Sequence, residues 1–433
     1  MKERTQNLTD VPYWWKVAPP PESIRDPVAS TCDVAIVGAG YTGLSAARTL
    51  AEAGLSVQVF DKQRVGEGAS SRNGGILSGN LRIGFGAAIR RYGHEKAVAI
   101  YREGIAAREF LAATIRDNGI DCDLQTNGRF TGALNLEDFG AMQREVNLLN
   151  QHLDLGAEAI PKPDLPDETG STAYSGGLLR HDIGMFHPAK FVRGLHSLAT
   201  KAGAITHGET AVDGIVRDGE KFTVSTARGP VSARHVVMAT NGYTDASDRW
   251  LRRRIVPITS RMVVTEEISD NLMNHLLPKR RAMGENRNLY RYYRPSPDGK
   301  RIMLGSREPA FSRNPHIAAE HVRAGMVEIF PELSDVAITH SWNGYVAFSR
   351  DELPRIFERD GIHYACAYCG SGTVWAHWLG TKVALRILEQ KGGDSAFDGA
   401  PKAIPFFEGR PWFLPAAMAW NGVKDRQKSR KPR

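Results

Sequence analysis

The sequence contains few cysteines and no long apolar run. Four cysteines in 433 residues are too few for a disulfide scaffold and fit a reducing compartment. No stretch of about 18 apolar residues is present, so no membrane span is predicted. Residues 1–6 lack the apolar region of a secretory signal. Together these absences predict a cytoplasmic protein.

Net positive charge is small outside the C-terminus. The composition is 42% hydrophobic and 24% charged, as in ordinary globular proteins, and the length suits two domains or one elaborate domain. The last ten residues, with six basic side chains and one acid, supply five of the eight net positive charges. We expect this tail to be a solvated, disordered end, with an arm for nucleic acid or a membrane surface as the less favoured alternative.

A strand, a glycine-rich turn and a helix follow one another after Asp33. Apolar residues 34–37 predict a buried parallel strand, and apolar residues at helical spacing predict a helix that ends at Gly54. The turn between them has the pattern G-x-G-x-x-G, formed by Gly38, Gly40 and Gly43. A second strand, residues 57–60, ends at Asp61.

Each part of this unit suits a dinucleotide. Gly38 permits the tight turn, Gly40 lets the backbone approach a pyrophosphate, and Gly43 lets helix and strand pack closely. The pyrophosphate would meet the free N–H groups of the helix start, and Asp61 would bind the ribose hydroxyls. The motif alone is a weak sign, but its place between strand and helix, with an acid about 20 residues on, favours a dinucleotide over a merely structural turn.

A loop of small residues follows, with the sequence GEGASSRNGGI over residues 66–76. Small residues let the backbone approach a large flat ligand, and the side chains of Ser70, Ser71 and Arg72 can meet phosphate or ring heteroatoms. A flexible linker is a poor alternative, because the loop follows the predicted nucleotide-binding acid so closely.

The strand–turn–helix unit after Asp33 is of the Rossmann type. Together with this loop, it resembles the D-amino acid oxidase (DAO) family of FAD-dependent oxidoreductases, and especially its gamma-glutamylputrescine oxidase branch. Further matching stretches cover, with the first two, most of the chain between residues 30 and 390; they are residues 184–195, 209–212, 236–243, 342–344, 351–354 and 370–374.

The resemblance implies an α/β fold: a glutathione-reductase-like Rossmann FAD-binding domain and a second α+β substrate domain with an antiparallel sheet. The FAD-binding domain would take residues 30–86, 178–260 and 340–395, and the substrate domain residues 87–177 and 261–339. Residues 1–29 would form a lead-in and residues 396–433 a C-terminal extension. Apolar spacing predicts helices over residues 95–117 and 139–152, and strands at residues 128–134, 254–265, 289–294 and 301–305.

The resemblance also implies which residues contact FAD. Val212 would hold the adenine through its backbone, and the helix start at residues 370–373 would place partial positive charge near the flavin ring. An ordinary core strand and a plain strand-to-helix turn are the alternatives. The implied set is Gly38, Gly40, Tyr41, Thr42, Gly43, Asp61, Lys62, Gly68, Ala69, Ser70, Arg72, Asn73, Gly74, Gly75, Ile76, Val212, Thr240, Asn241, Gly344, Gly370, Ser371, Gly372 and Thr373.

Departures from the family pattern concern the flavin tether. Sarcosine-oxidase-like members have a tethering cysteine where this chain has Gly344, and dimethylglycine-dehydrogenase-like members have a histidine where it has Arg72. Neither residue can form the bond, so non-covalent FAD is expected. Cys366 and Cys369 form a C-x-x-C pair, but zinc would need a second pair of soft ligands; no metal site is predicted, and both thiols are expected to be half-buried and structural.

A second departure concerns the substrate. Simple amino acid oxidases hold the α-carboxylate with the arginine of a G-x-R-P motif, and Val346 stands at that place. The simpler inference is an amine without that carboxylate, although Arg294 or Arg350 could substitute. Candidate substrate-site residues are Tyr292, Arg294, Trp342 and Trp375, for which a core role is the alternative, and no catalytic side chain is assigned.

The predicted activity is FAD-dependent oxidation of a C–N bond of a primary or secondary amine, or of an amino acid derivative. The product would be an imine that hydrolyses, with O₂ as electron acceptor giving H₂O₂. Alternatives are a dehydrogenase with another acceptor and an RNA-modifying flavoprotein, the latter suggested by the basic tail and the arginine-rich residues 249–254. An NADPH-using monooxygenase would need a second G-x-G-x-x-G strand motif, which is absent.

Overall fold

The computed structural model describes residue 5 and residues 8–23, 27–307 and 314–432. In chain order the strands are β1 (Thr31–Val37), β2 (Val57–Phe60), β3 (Ile76–Leu77), β4 (Arg129–Gly132), β5 (Glu158–Pro161), β6 (Gly176–Arg180), β7 (Gly184–Met185), β8 (Ile205–His207), β9 (Val212–Asp218), β10 (Lys221–Thr226), β11 (Gly229–Met238), β12 (Val256–Thr265), β13 (Ala282–Glu285), β14 (Arg291–Pro295), β15 (Ile302–Arg307), β16 (Ile338–Phe348), β17 (Arg355–Arg359) and β18 (Ile362–Cys366). The helices are α1 (Tyr41–Glu52), α2 (Phe85–Tyr92), α3 (His94–Asp117), α4 (Leu136–Leu153), α5 (Pro188–Lys201), α6 (Arg249–Arg252), α7 (Asp270–Leu276), α8 (Pro315–Ile329), α9 (Gly372–Ile387) and α10 (Leu414–Ser429).

The first sheet has the strand order β17-β18-β11-β1-β2-β8, with the β9–β10 hairpin attached to β11. Strands β18, β11, β1, β2 and β8 are parallel. Val34, Ala35 and Ile36 of β1 are all fully buried, because a parallel sheet is covered on both faces. Helices α5 and α9 pack on α1, which opens from the glycine-rich turn. This sheet and its helices confirm the predicted α/β class.

The second sheet has the order β16-β12-β15-β14-β13-β4-β6-β5. Its strands pair antiparallel, as predicted, except for the parallel pair β13–β4. Helix α8 packs against β12, β15 and β16, and this layer encloses an apolar core that includes Val263, Tyr293 and Leu304.

The helices predicted over residues 95–117 and 139–152 correspond to α3 and α4. The predicted domain limits stay a prediction, and three strands of the second sheet cross them: β6, β12 and β16. Strands of the two sheets have similar apolar patterns, so sequence alone does not tell which sheet a strand joins. Within the described residues, no helix has both the length and the apolarity needed to cross a membrane.

The C-terminal extension is ordered into α10, so the expectation of a disordered end is wrong. Asp425 is buried, and its carboxylate accepts hydrogen bonds of 2.8 Å from the backbone N–H groups of Asn288 and Leu289 and from the Asn288 amide. Lys428 lies 3.3 Å from Asp138. Three donors compensate the buried carboxylate, and this contact attaches the helix to the second sheet.

Replacing Asp425 by Ala should release α10 and the segment at residues 286–289. The reason is that the substitution leaves two backbone N–H groups without their acceptor, which costs about 1–3 kcal/mol for each buried donor. Hydrogen exchange followed by mass spectrometry should show faster exchange in both segments and unchanged exchange in β1 and β2. Arg426→Ala, at an exposed neighbouring position, is the control; equal exchange in the two variants would contradict the attachment.

Candidate active site

The glycine-rich turn is packed tightly against neighbouring parts of the chain. Gly38 has a φ of +108°, and a Cβ on Gly43 would lie 1.9 Å from the Gly38 carbonyl oxygen. A Cβ on Gly40 would lie 2.7 Å from the Ser70 hydroxyl oxygen. That hydroxyl accepts a hydrogen bond of 2.9 Å from the Tyr41 N–H at the start of α1. No side chain larger than hydrogen fits at these positions without a shift, as a backbone cradle for a diphosphate requires.

Asp61 lies at the carboxyl end of β2, beside this turn. Its carboxylate accepts hydrogen bonds from the Ala39 N–H (2.8 Å) and the Gln63 N–H (2.9 Å). Burial raises the pKa of Asp61. The two backbone donors fix the orientation of the carboxylate at the place where the sequence predicts ribose binding.

The small-residue loop is held by hydrogen bonds within the loop and from Trp14. Asn73 donates to the Ala69 and Ser70 carbonyls (3.0 and 2.9 Å) and accepts from the Gly75 N–H (2.8 Å). The Trp14 indole N–H donates to the Asn73 carbonyl (2.9 Å). The aromatic lead-in therefore packs on the body of the protein, and it holds the loop against the site.

A cavity of about 440 Å³ lies between the carboxyl ends of the parallel strands and one face of the second sheet. All residues predicted to contact FAD line it, apart from Gly43 and Gly75. Gly43 packs behind the turn. Gly75 has a φ of +65°, and a Cβ there would lie 2.1 Å from the Phe186 carbonyl oxygen, so both glycines shape the lining from beneath.

The start of α9 opens onto the same cavity. The Thr373 hydroxyl donates to the Ile76 carbonyl (2.6 Å), which joins the helix start to the small-residue loop. Asn241 accepts from the Ala367 N–H (2.8 Å), which joins the end of β11 to the segment before α9. The N-terminal end of α9 carries partial positive charge toward the cavity.

Alternate residues of the second sheet form the opposite wall. Ser260 of β12 pairs with Gly344 of β16 on one side and with Arg307 of β15 on the other, and all three line the cavity. Tyr292 of β14 lies opposite Gly305, where a Cβ would lie 2.1 Å from the tyrosine ring. The glycine thus leaves space for the ring. Burial raises the pKa of Tyr292 to about 12, so its hydroxyl stays protonated at neutral pH.

Of the four candidate substrate-site residues, only Tyr292 lines the cavity. The fully buried Arg294 donates to the Phe186 carbonyl (2.8 Å). Trp342 donates to the Arg72 carbonyl (2.8 Å), and the Trp375 ring packs on Phe397. The structure therefore does not place these three side chains at the predicted substrate wall, because each is used in packing beneath it.

The alternative carboxylate ligand Arg350 is exposed and outside the cavity lining. Sequence reasoning missed other residues of the lining. For two of them, Arg129 on β4 and Arg307 on β15, the period of two along the strand could have indicated the face once the register was known. The missed residues include Arg82, Arg129, Tyr243, Tyr290, Arg307 and Tyr345.

Cys366 and Cys369 are free and buried, rather than half-buried as expected. The Cys369 thiol lines the cavity and donates to the Ala367 carbonyl (2.9 Å). Burial raises the pKa of Cys369 to about 12, which keeps the thiol protonated and weakly nucleophilic. No group of three or more histidine, cysteine, aspartate or glutamate side chains is placed to hold a metal ion in the part of the chain that the structure describes.

The two positions that carry the flavin tether in related branches are neighbours in space. A Cβ on Gly344 would lie 3.5 Å from the Cβ of Arg72. Arg72 donates to the Glu67 carbonyl (2.8 Å), and its guanidinium stacks 4.6 Å from the Trp15 ring. Glycine and a stacked arginine thus occupy one side of the cavity, where neither offers a group for a covalent bond to flavin.

The chain is similar to known flavoenzymes along most of its length. The sequence model of the family described as "DAO: FAD dependent oxidoreductase" matches residues 33–386. Gamma-glutamylputrescine oxidoreductase of Escherichia coli is 30% identical over 401 residues, 92% of this chain and 93% of that protein. Glycine oxidase of Pseudomonas aeruginosa is 26% identical over 393 residues, 86% of this chain and 98% of that protein.

Among solved structures, glycine oxidase from Geobacillus kaustophilus superposes with a TM-score of 0.70 at 19% sequence identity, covering 88% of this chain and 99% of that chain. L-proline dehydrogenase from P. horikoshii superposes with a TM-score of 0.68 at 17% sequence identity, and the match covers 90% of this chain and 99% of that chain. These likenesses show the shared fold.

Replacing Asp61 by Ala should weaken FAD binding. Loss of the oriented carboxylate would leave ribose hydroxyls unpaired in a partly buried site, which costs about 1–3 kcal/mol or roughly 5- to 150-fold in affinity. Titration of the apoprotein with FAD, followed by flavin fluorescence, measures the change. Asp213→Ala removes an exposed acid beside Val212 and should leave the affinity unchanged. Equal affinities for the two variants would refute the assignment of Asp61.

Acid precipitation should release the flavin from the purified protein. Neither Gly344 nor Arg72 can form the tether, and the protonated Cys369 thiol is a poor nucleophile. After trichloroacetic acid treatment, we expect the yellow colour in the supernatant. Flavin retained on the precipitate would contradict this prediction, and its loss in Cys369→Ser would then identify the bond.

Proposed function

Because the chain belongs to the DAO family of FAD-dependent oxidoreductases, we propose that it oxidises the C–N bond of a primary or secondary amine or an amino acid derivative. The product is an imine that hydrolyses to a carbonyl compound and ammonia, or a primary amine where the substrate is a secondary amine. O₂ is the proposed electron acceptor, giving H₂O₂, and the cytoplasm is the proposed location. FAD is the cofactor, and the glycine cradle at Gly38, Gly40 and Ser70 fits its diphosphate.

The observation that carries this proposal is Val346. It lies on β16, pairs with Ile258 of β12, and lines the cavity together with it. An α-carboxylate placed against this apolar pair would lack a bidentate cationic partner, and an uncompensated charge in a closed site costs several kcal/mol. The similarity to gamma-glutamylputrescine oxidoreductase supports an amine as the substrate.

When bound, FAD supplies a hydride acceptor for the carbon next to the amine nitrogen. The chain's own contribution is to position the substrate and exclude water. Ile258, Met262 and Val346 offer an apolar wall that disfavours a charged ammonium and therefore favours the neutral amine needed for oxidation. The phenol of Tyr292 is a neutral hydrogen-bond donor on the same wall.

An RNA-modifying activity has little support from the arginine-rich residues 249–254. The Arg254 guanidinium stacks 3.9 Å from the Trp250 ring and donates to the Trp250 carbonyl (2.8 Å). Arg253 pairs with Glu408 at 3.0 Å. Two of the four arginines in this segment are thus used within the protein. A dehydrogenase with a non-oxygen acceptor is the remaining alternative, and the comparison of acceptors below separates it from an oxidase.

Glycine and D-alanine should be poor substrates compared with the best amine. A loss of about 2.7 kcal/mol in transition-state binding, the expected scale for an unpaired carboxylate, is roughly 100-fold in kcat/KM. We expect at least this difference when glycine, D-alanine, sarcosine, alkylamines and gamma-glutamylated amines are compared with purified enzyme.

Peroxide formation and reduction of an artificial dye should be measured in parallel, because turnover with dye alone would identify a dehydrogenase. The proposal from Val346 would be overturned if glycine or D-alanine proved the best substrate. Failure of every amine to reduce the bound flavin under anaerobic conditions would overturn the amine oxidation itself.

A further inference from the structure

One end of the cavity is lined by three arginines, and no acid among the described residues lines that end. The cavity lining includes Arg82, Arg129 and Arg307, whereas its acids are Asp61 and Asp245. Asp61 follows β2 at the glycine-rich turn, and Asp245 pairs with Lys62 at 2.8 Å, so both acids belong to the nucleotide end. The wall formed by the second sheet is therefore strongly positive.

The three arginines are neighbours. Arg82 and Arg129 both line an adjoining cavity of about 280 Å³, whose lining also includes Glu145 and Arg180. Burial, and after it the charge of Arg82, lowers the pKa of Arg307. Arg82 donates to the Asn288 carbonyl (2.9 Å). Mutual repulsion of like charges at short range is unfavourable, and an anionic ligand would relieve it.

Arg307 has its hydrogen-bonding edge free. It is half-buried, and its guanidinium stacks 4.8 Å from the Phe348 ring. The Arg307 backbone carbonyl accepts from the Ser306 hydroxyl (3.3 Å), but among the described residues the guanidinium donates no hydrogen bond and forms no ion pair. The charge of Glu352 raises the pKa of Arg307 without an ion pair between them. Stacking uses one face of the guanidinium and leaves its N–H fork for a planar anion.

Arg129 is similarly without an anionic partner. Burial lowers the pKa of Arg129 to about 10, and its Nε–H has no hydrogen-bond acceptor within the described chain. Gly284 of the neighbouring strand makes room for it, because a Cβ there would lie 2.5 Å from the guanidinium. The half-buried Arg129 guanidinium lies 5.6 Å from the Tyr290 ring. A partly desolvated guanidinium without an anionic partner is costly, and its place beside a cavity points to an anionic ligand.

We propose that this arginine end of the cavity binds a carboxylate of the amine substrate, remote from the oxidised carbon, with Arg307 as its main ligand. This inference rests on the proposed function. Arg307 and Val346 lie on strands separated by β12, which places their backbones roughly 10 Å apart across the sheet. An anion held by Arg307 is therefore displaced from Val346, the position at which the resemblance places the α-carboxylate ligand of simple amino acid oxidases. The proposed substrate class is an amine that carries its anionic group several atoms from the reacting C–N bond.

Two amines of equal length test the subsite: N-glutaryl-1,4-diaminobutane, which ends in a carboxylate, and N-pentanoyl-1,4-diaminobutane, which ends in a methyl group. Wild-type holoenzyme should have the higher kcat/KM for the glutaryl compound. Arg307→Met should lower the ratio of the two kcat/KM values by about 10- to 150-fold, the range for loss of a charged hydrogen-bonded pair. Arg307→Lys should lower it less, and Arg350→Met, at an exposed position off the cavity, should keep it.

Calorimetric titration of holoenzyme with the glutaryl compound gives a second readout, and the flavin absorbance of each variant verifies that it is folded. Weaker binding in Arg307→Met, with unchanged binding in Arg350→Met, supports the subsite even if neither amine is oxidised; in that case the proposed oxidation is the part that fails. Oxidation of both amines with an Arg307-independent ratio overturns the subsite and leaves amine oxidation standing. Absence of both binding and oxidation overturns both.

Discussion

The buried guanidinium of Arg294 joins the second sheet to the small-residue loop at the site. Arg294 belongs to β14 of the second sheet, and its Nη1 donates to the carbonyls of Gly74, Gly75 and Phe186. Its Nη2 has no acceptor within the described residues, and burial lowers its pKa to about 9. Because a buried cation without an acid is costly, the carbonyls of the small-residue loop are held toward it. The cavity between the sheets depends on this contact.

Other contacts strengthen the same loop from the side of the lead-in. The Trp14 ring lies 5.5 Å from the Arg294 guanidinium while its indole N–H binds the Asn73 carbonyl. Trp342 reaches the Arg72 carbonyl from β16. Aromatic side chains thus supply both apolar packing and single, directed hydrogen bonds to the small-residue loop. These contacts fix the small-residue loop, which lines the nucleotide end of the cavity.

Sequence reasoning was most successful where function depends on short-range pattern. The turn at Gly38, Gly40 and Gly43 needs specific residues at fixed offsets, so it could be identified without the fold. The helices α3 and α4 follow from apolar spacing.

Side-chain roles in the second sheet were less accessible. Arg294 and Arg307 both belong to strands of that sheet, yet one is packed beneath the loop and the other faces the cavity. The face on which each lies depends on strand register, which tertiary pairing decides. The ordered α10 was missed for a similar reason, because the buried contact of Asp425 with a segment 137 residues earlier leaves no local signal.

The strand order of the first sheet has a consequence for folding. Strands β1 and β2 and helix α1 are contiguous in the chain and can form a unit early. The other edge of β1, however, pairs with β11, where Val34 lies beside His235. At a synthesis rate of about 5–20 residues per second, the open edge of β1 waits roughly 10–40 s for its partner. Such non-local pairing slows folding and exposes an apolar strand to intermolecular association while the chain is incomplete.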